Sequence, residues 1–92
     1  MCRNIKTLYN VEPEATEDEL RASALQFVRK VSGYTKPSQA NEAAFERAVD
    51  EVTAAARRLL DELVTTAPPR DREAMAARAR DRYEQRLVRQ PA

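Results

Sequence analysis

The 92-residue sequence has no histidine, no tryptophan, one cysteine and one glycine. Without histidine, a histidine-based catalytic triad or zinc site is excluded. A single cysteine forbids an intrachain disulfide, so no covalent staple supports the fold. Aromatic residues make up only 5% of the chain, which leaves any core thin and aliphatic. The lone glycine and the abundance of alanine and arginine favour helices over sheets. No stretch approaches the ~18 apolar residues of a membrane span, and the N-terminus lacks the apolar region of an export signal. The expected setting is therefore cytoplasmic, with no membrane partner.

What is present is charge and helical periodicity. Charged residues are 34% of the chain and the net charge is only +1, but it is unevenly spread. Residues 1–69 carry 9 basic and 11 acidic groups, a balance of −2, whereas residues 70–92 carry 7 basic and 4 acidic groups, a balance of +3. That bias is weaker than in a dedicated DNA-binding domain. A chain of this length forms one domain, and small domains are marginally stable, which favours association or a docked third helix.

The stretch from Thr16 to Val64 predicts a helix, a loop and a longer helix. Thr16 with Glu19 forms a capping-box pattern, and Glu17, Asp18 and Glu19 suit the positive end of the helix dipole. Leu20, Ala24, Phe27, Val28 and Val31 then recur at the spacing of one buried face, giving a helix over about 17–32. Arg29 and Lys30 fall in its last turn, and Gly33 lies where a left-handed cap is needed. A long helix follows over about 39–64, with Ser38 as its cap and a stripe of Phe45, Val49, Val52, Ala56, Leu59, Leu60 and Leu63. Its length is roughly 39 Å at 1.5 Å per residue, more than one compact partner helix covers. Thr65 to Pro69 ends it, since proline has no amide to donate. Within it, Arg57–Asp61 and Arg58–Glu62 are candidate i, i+4 ion pairs of small energetic weight.

Before the first helix, Ile5, Leu8 and Tyr9 match a short helical turn capped by Asn4, because a lone strand there has no evident partner. Asn10 to Ala15 reads as a linker. After Pro68-Pro69, Asp71 caps a third helix reaching about Val88. Met75, Ala79, Tyr83 and Leu87 give it a narrow apolar stripe, enough to fold back antiparallel on the long helix. The chain thus divides into a helical domain over 1–69 and an arginine-rich C-terminal helix and tail over 70–92.

Three sets of residues carry candidate chemistry. Cys2 gains a free α-amino group if the initiator methionine is removed, and Arg3 and Lys6 favour its thiolate. It is a candidate nucleophile or metal ligand, against the plainer reading of a small buried hydrophobe. Arg29, Lys30, Lys36 and Ser38 surround the N-terminus of the long helix, where free amides hold anions, though no glycine-rich phosphate loop is present. The loop is too long for a helix-turn-helix of the usual kind. Arg78, Arg82, Arg86 and Arg89 run along the third helix, and their mutual repulsion would be relieved by RNA, DNA or an acidic protein face. The plainer reading is a solvated face with local pairs Arg78–Asp81 and Arg80–Glu84. Tyr83 is the only stacking platform near them. Glu12, Glu14, Glu17, Asp18 and Glu19 lack calcium-loop spacing and read as solvated.

Met1–Leu8, Ser32-Gly33, Lys36-Pro37-Ser38, Asn41 to Phe45 and Thr65 to Glu73 together resemble a family of short bacterial proteins that open with this octet, the domain of unknown function DUF2277. The resemblance spans residues 1 to about 73. It implies a bacterial cytosolic setting and an integral N-terminal octet, and it carries no catalytic or binding residue. The sequence thus points to an all-α small helical bundle, built on the helix–loop–long-helix pair with a basic C-terminal helix. The first expectation is a non-enzymatic binding or adaptor protein that associates with itself or with another protein. The alternatives are a nucleic-acid accessory using the arginine stripe and a thiol enzyme or sensor centred on Cys2. No cofactor is expected.

Overall fold

The structure, a computed structural model, describes residues 4–89. In chain order it contains β1 (Val11–Glu12), α1 (Glu17–Ser32), a 3-10 turn (Gln39–Asn41), α2 (Glu42–Glu62), β2 (Arg70–Asp71) and α3 (Arg72–Arg89). The chain is mostly helical, as the periodicity predicts. Cys2 lies outside the described residues.

The capping logic of α1 is realised at both ends. The Glu19 amide donates to Thr16 Oγ1 at 3.2 Å, and Glu19 Oε1 accepts from the Thr16 amide at 2.9 Å. Gly33 closes the helix with φ 81°, its N–H donating to the Arg29 carbonyl. A Cβ at Gly33 would meet nothing within 4 Å, so the left-handed backbone and not crowding selects glycine there. The second helix begins later than expected. Ser38 opens a 3-10 turn, its hydroxyl accepting from Asn41 Nδ2 at 2.8 Å, and α2 proper starts at Glu42. It also ends earlier, because Leu63 is already extended.

The hairpin core is small. Ala24 and Val28 of α1 meet Val49 of α2, with Leu25, Phe45, Ala48 and Val52 packed against them half-buried. Thr53 is buried beside Val49, and its hydroxyl donates to the Val49 carbonyl at 2.7 Å. Its polar atom is thereby satisfied without a partner from α1.

Three expectations are corrected outside the hairpin. Residues 4–10 form no helical turn but run irregularly along α1. The Asn4 amide donates to Gln26 Oε1 at 2.8 Å, and the Ser23 hydroxyl donates to the Asn4 carbonyl. Side chains of α1 thus replace the hydrogen bonds a local helix would supply. Second, the expected linker contains a strand. β1 pairs in parallel with β2, Val11 opposite Arg70 and Glu12 opposite Asp71. Asn10 joins the two segments: it adopts φ 53°, its carbonyl accepts from the Arg70 amide at 2.8 Å, and its Nδ2 donates to the Ala67 and Pro68 carbonyls. Asparagine tolerates this left-handed backbone better than most residues.

Third, α3 does not fold back along α2. Residues 76–88 are all exposed, and the helix packs at its base against β2. The expected stripe is unpartnered, with Tyr83 and Leu87 both more than half exposed. The molecule is flat, with extents of 48 × 43 × 15 Å. Its radius of gyration of 16.8 Å exceeds the ~12 Å of a compact chain this long.

Asn10 supplies a direct test of the strap. Asn10→Ala is expected to lower unfolding free energy by ~1–2 kcal/mol, combining the left-handed penalty with two lost exposed hydrogen bonds. Asn10→Gly, which keeps the backbone free, should cost less. Urea titration of both variants reads the difference, and equal losses would remove the backbone from the explanation.

Candidate functional site

The junction where α3 leaves the hairpin is the most tightly built polar region among the described residues. Asp71 caps α3, its Oδ1 accepting from the Glu73 amide at 2.8 Å and the Ala74 amide at 3.1 Å. Arg72, the next residue, donates from Nη1 to Glu19 Oε2 at 2.6 Å and from Nη2 to Glu19 Oε1 at 3.0 Å. The pair is bidentate and only about a quarter exposed, 24% and 26% for the two side chains, which makes it geometrically specific as well as attractive. Arg72 Nε is buried without a hydrogen-bond partner.

The Arg72 guanidinium, followed by the Thr16 amide, holds the Glu19 carboxyl down at about 2, well below its ordinary 4.5. Glu19 in turn pushes the Arg72 guanidinium up. A carboxylate so held stays ionised and fully hydrogen-bonded at neutral pH, so it is no general acid or base. Its work is positional.

Two further ion pairs tie α1 to α2 on one side of the hairpin. Arg57 donates to Glu17 Oε2 from Nε at 3.1 Å and from Nη2 at 2.9 Å. Arg21 Nη1 donates to Asp50 Oδ1 at 2.5 Å, which raises the Arg21 pKa. The reading of the Glu12–Glu19 cluster as wholly solvated is therefore corrected at Glu17 and Glu19. Partners 40 and 53 positions away in sequence carry no local signal. Of the anticipated helical pairs, Arg57–Asp61 forms at 3.9 Å. Arg58–Glu62, Arg78–Asp81 and Arg80–Glu84 are not among the ion pairs of the described residues.

Two clefts flank these contacts. One of about 290 Å³ lies between the Leu8–Ala15 segment and Arg57, Leu60 and Asp61 of α2. Another of about 270 Å³ lies at the α3 base, lined by Lys6, Thr7, Arg72, Met75, Ala76 and Ala79. No group of three or more His, Cys, Asp or Glu able to hold a metal occurs among the described residues.

The sequence-predicted residues fall into separate places. Arg29 turns inward to its own loop, with Nε donating to the Thr35 carbonyl at 3.0 Å. Lys30 and Lys36 are exposed, and Ser38 makes no side-chain cap to an amide. Arg78, Arg82 and Arg86 are exposed on α3, while the side chain of Arg89 lies outside the described ones. α3 starts beside Glu19, about 15 Å along α1 from Arg29 at 1.5 Å per residue. The loop cations and the arginine stripe thus do not form one basic surface at their bases. No helix of the described residues is long and apolar enough to cross a membrane.

A family model described as an uncharacterized conserved protein, DUF2277, matches residues 1–78. No curated protein and no solved structure matches the chain. The chain belongs to the DUF2277 family. The matched span includes the hairpin, the strand pair and the α3 base, and it ends before Arg82, Tyr83, Arg86 and Leu87.

The depressed Glu19 pKa fixes a pH dependence. Its stabilising contribution is fully present above the ordinary carboxylate value of 4.5 and is lost as pH falls toward about 2. The urea midpoint of the native chain should therefore drop across that window more steeply than that of Glu19→Gln, which keeps one acceptor oxygen but has no charge to lose. Parallel profiles would show that the pair contributes nothing to stability.

Proposed function

We propose that this chain is a non-enzymatic binding protein of the bacterial cytoplasm whose working form is a self-associated one. The observation that carries this reading is the surface it leaves open. The chain exposes 7576 Å², whereas a compact monomer of its 10.5 kDa mass exposes ~5,400 Å². An excess of ~2,100 Å² on one chain is more than twice the ~800 Å² that a standard interface removes from each partner, which is the scale of a large, obligate association. Stable domains pack at least two layers around a core, and a 15 Å thickness corresponds to one layer of helices.

The missing chemistry agrees with a binding role. The sequence has no histidine, and its most perturbed carboxylate is locked in an ion pair. Sedimentation equilibrium across a concentration series tests the reading. The expected mass is a multiple of 10.5 kDa at micromolar concentration, and a strict monomer to high concentration would overturn it.

A second reading is favoured by a specific observation. Arg78, Arg82 and Arg86 are exposed on one side of α3, with no ion pair among the described residues, and so are available to an anionic partner such as RNA or DNA. On this reading affinity falls steeply with salt, because bound phosphates release counterions. Replacing Arg82→Glu together with Arg86→Glu should cut RNA affinity at least ~10-fold. Unchanged affinity and salt slope would remove the stripe from consideration.

A further inference from the structure

We infer that one face of the α1–α2 hairpin is the seam between two copies of this chain, completing a two-layer, four-helix arrangement. The inference rests on the self-association reading above and assigns its surface. The two helices are antiparallel, with Arg57 opposite Glu17 and Asp50 opposite Arg21, and Ala24 and Val28 of α1 meet Val49 of α2. To one side of those lines lie Arg21–Asp50 and Arg57–Glu17, so that side is tied and polar. Helical spacing places Phe27 of α1 and Phe45, Val52 and Leu59 of α2 on the opposite side, and Leu63 follows just past the end of α2.

That opposite side is apolar and uncovered. Phe27 is 49% exposed, Leu59 55% and Leu63 43%, with Phe45 and Val52 half-buried between them. Ala48 and Ala55 lie in the same stripe and allow a second helix to approach closely. The face is about 20 Å wide, two helix diameters, and about 30 Å long on α2. A footprint of ~600 Å² gives, with side-chain relief, the ~800 Å² per partner of a standard interface. That is a little over a third of the ~2,100 Å² excess, and much of the remainder lies on α3, whose residues 76–88 are exposed. A second copy brings the same flat, apolar face, and stacking two antiparallel pairs generates a four-helix bundle. α3, carrying the net positive end of the chain, remains outside this seam.

The test uses full-length protein in sedimentation equilibrium, with far-UV circular dichroism to monitor helicity. Leu59→Arg and, separately, Ala55→Glu replace side chains that are exposed in the single chain, so the hairpin itself is left intact. The control is Tyr83→Arg with Leu87→Arg on α3. A wild-type dimer, a dissociation constant raised at least ~100-fold by Leu59→Arg, weakening by Ala55→Glu and no effect of the control support the seam. A wild-type dimer that the α3 control dissociates, while both α2 variants stay associated, overturns the seam and leaves self-association standing. A monomeric wild type overturns both.

Discussion

Two amphipathic helices lying side by side can bury only the line along which they touch, and the rest of this structure follows from that constraint. The touching line is built from small and medium residues, Ala24 and Val28 against Val49, with Leu20 and Thr53 buried on the same two helices. No large side chain among the described residues is fully buried. The hydrophobic effect scales with apolar area removed from water, so such a pair alone is weakly held. On one side, solvent-exposed ion pairs add orientation more than energy. On the other, Phe27, Val52, Leu59 and Leu63 offer the area that a stable fold uses. On the self-association proposed above, the hairpin is half of a core.

At the N-terminal end of α1, one carboxylate links two helices. Glu19 completes the capping box of α1 through the Thr16 amide and receives the fork of Arg72 from α3. The same α1 turn supports the N-terminal strap, where Ser23 donates to the Asn4 carbonyl. Asn10 then ties that strap to the segment leading into α3. The direction in which α3 leaves the body is thus set by polar contacts over a short region and not by helix-on-helix packing. Because that region is small, α3 behaves as a projecting arm with its own uncommitted faces.

The legible parts of the fold were those whose cause is local. Thr16, Glu19 and Gly33 mark the ends of α1, and the apolar spacing includes the residues that meet, Ala24, Val28 and Val49. It also places Phe27, Val31, Leu59 and Leu63 in the buried stripes, and these are exposed. Asp71 announced the cap of α3. The parts that were not legible depend on partners distant in sequence. Nothing near Val11 signals that it pairs with Arg70, and nothing in the Glu12–Glu19 cluster distinguishes the carboxylates that find arginines from those that stay in water. The third helix was misplaced for a related reason: Met75, Ala79, Tyr83 and Leu87 form a real stripe, but a stripe does not specify what covers it. Proximity in sequence groups the loop cations, whereas Arg29 is committed to the Thr35 carbonyl. The candidate surface emerges only when exposure is compared on the two sides of the hairpin.

Small-angle X-ray scattering from the full-length chain in solution tests most directly whether the hairpin works as half of a core. Stacking a second helix layer at an interaxial distance of about 10 Å predicts a particle of twice the chain mass and roughly 25 Å thick. A profile matching one chain, with a 16.8 Å radius of gyration and a 15 Å thickness, would contradict it.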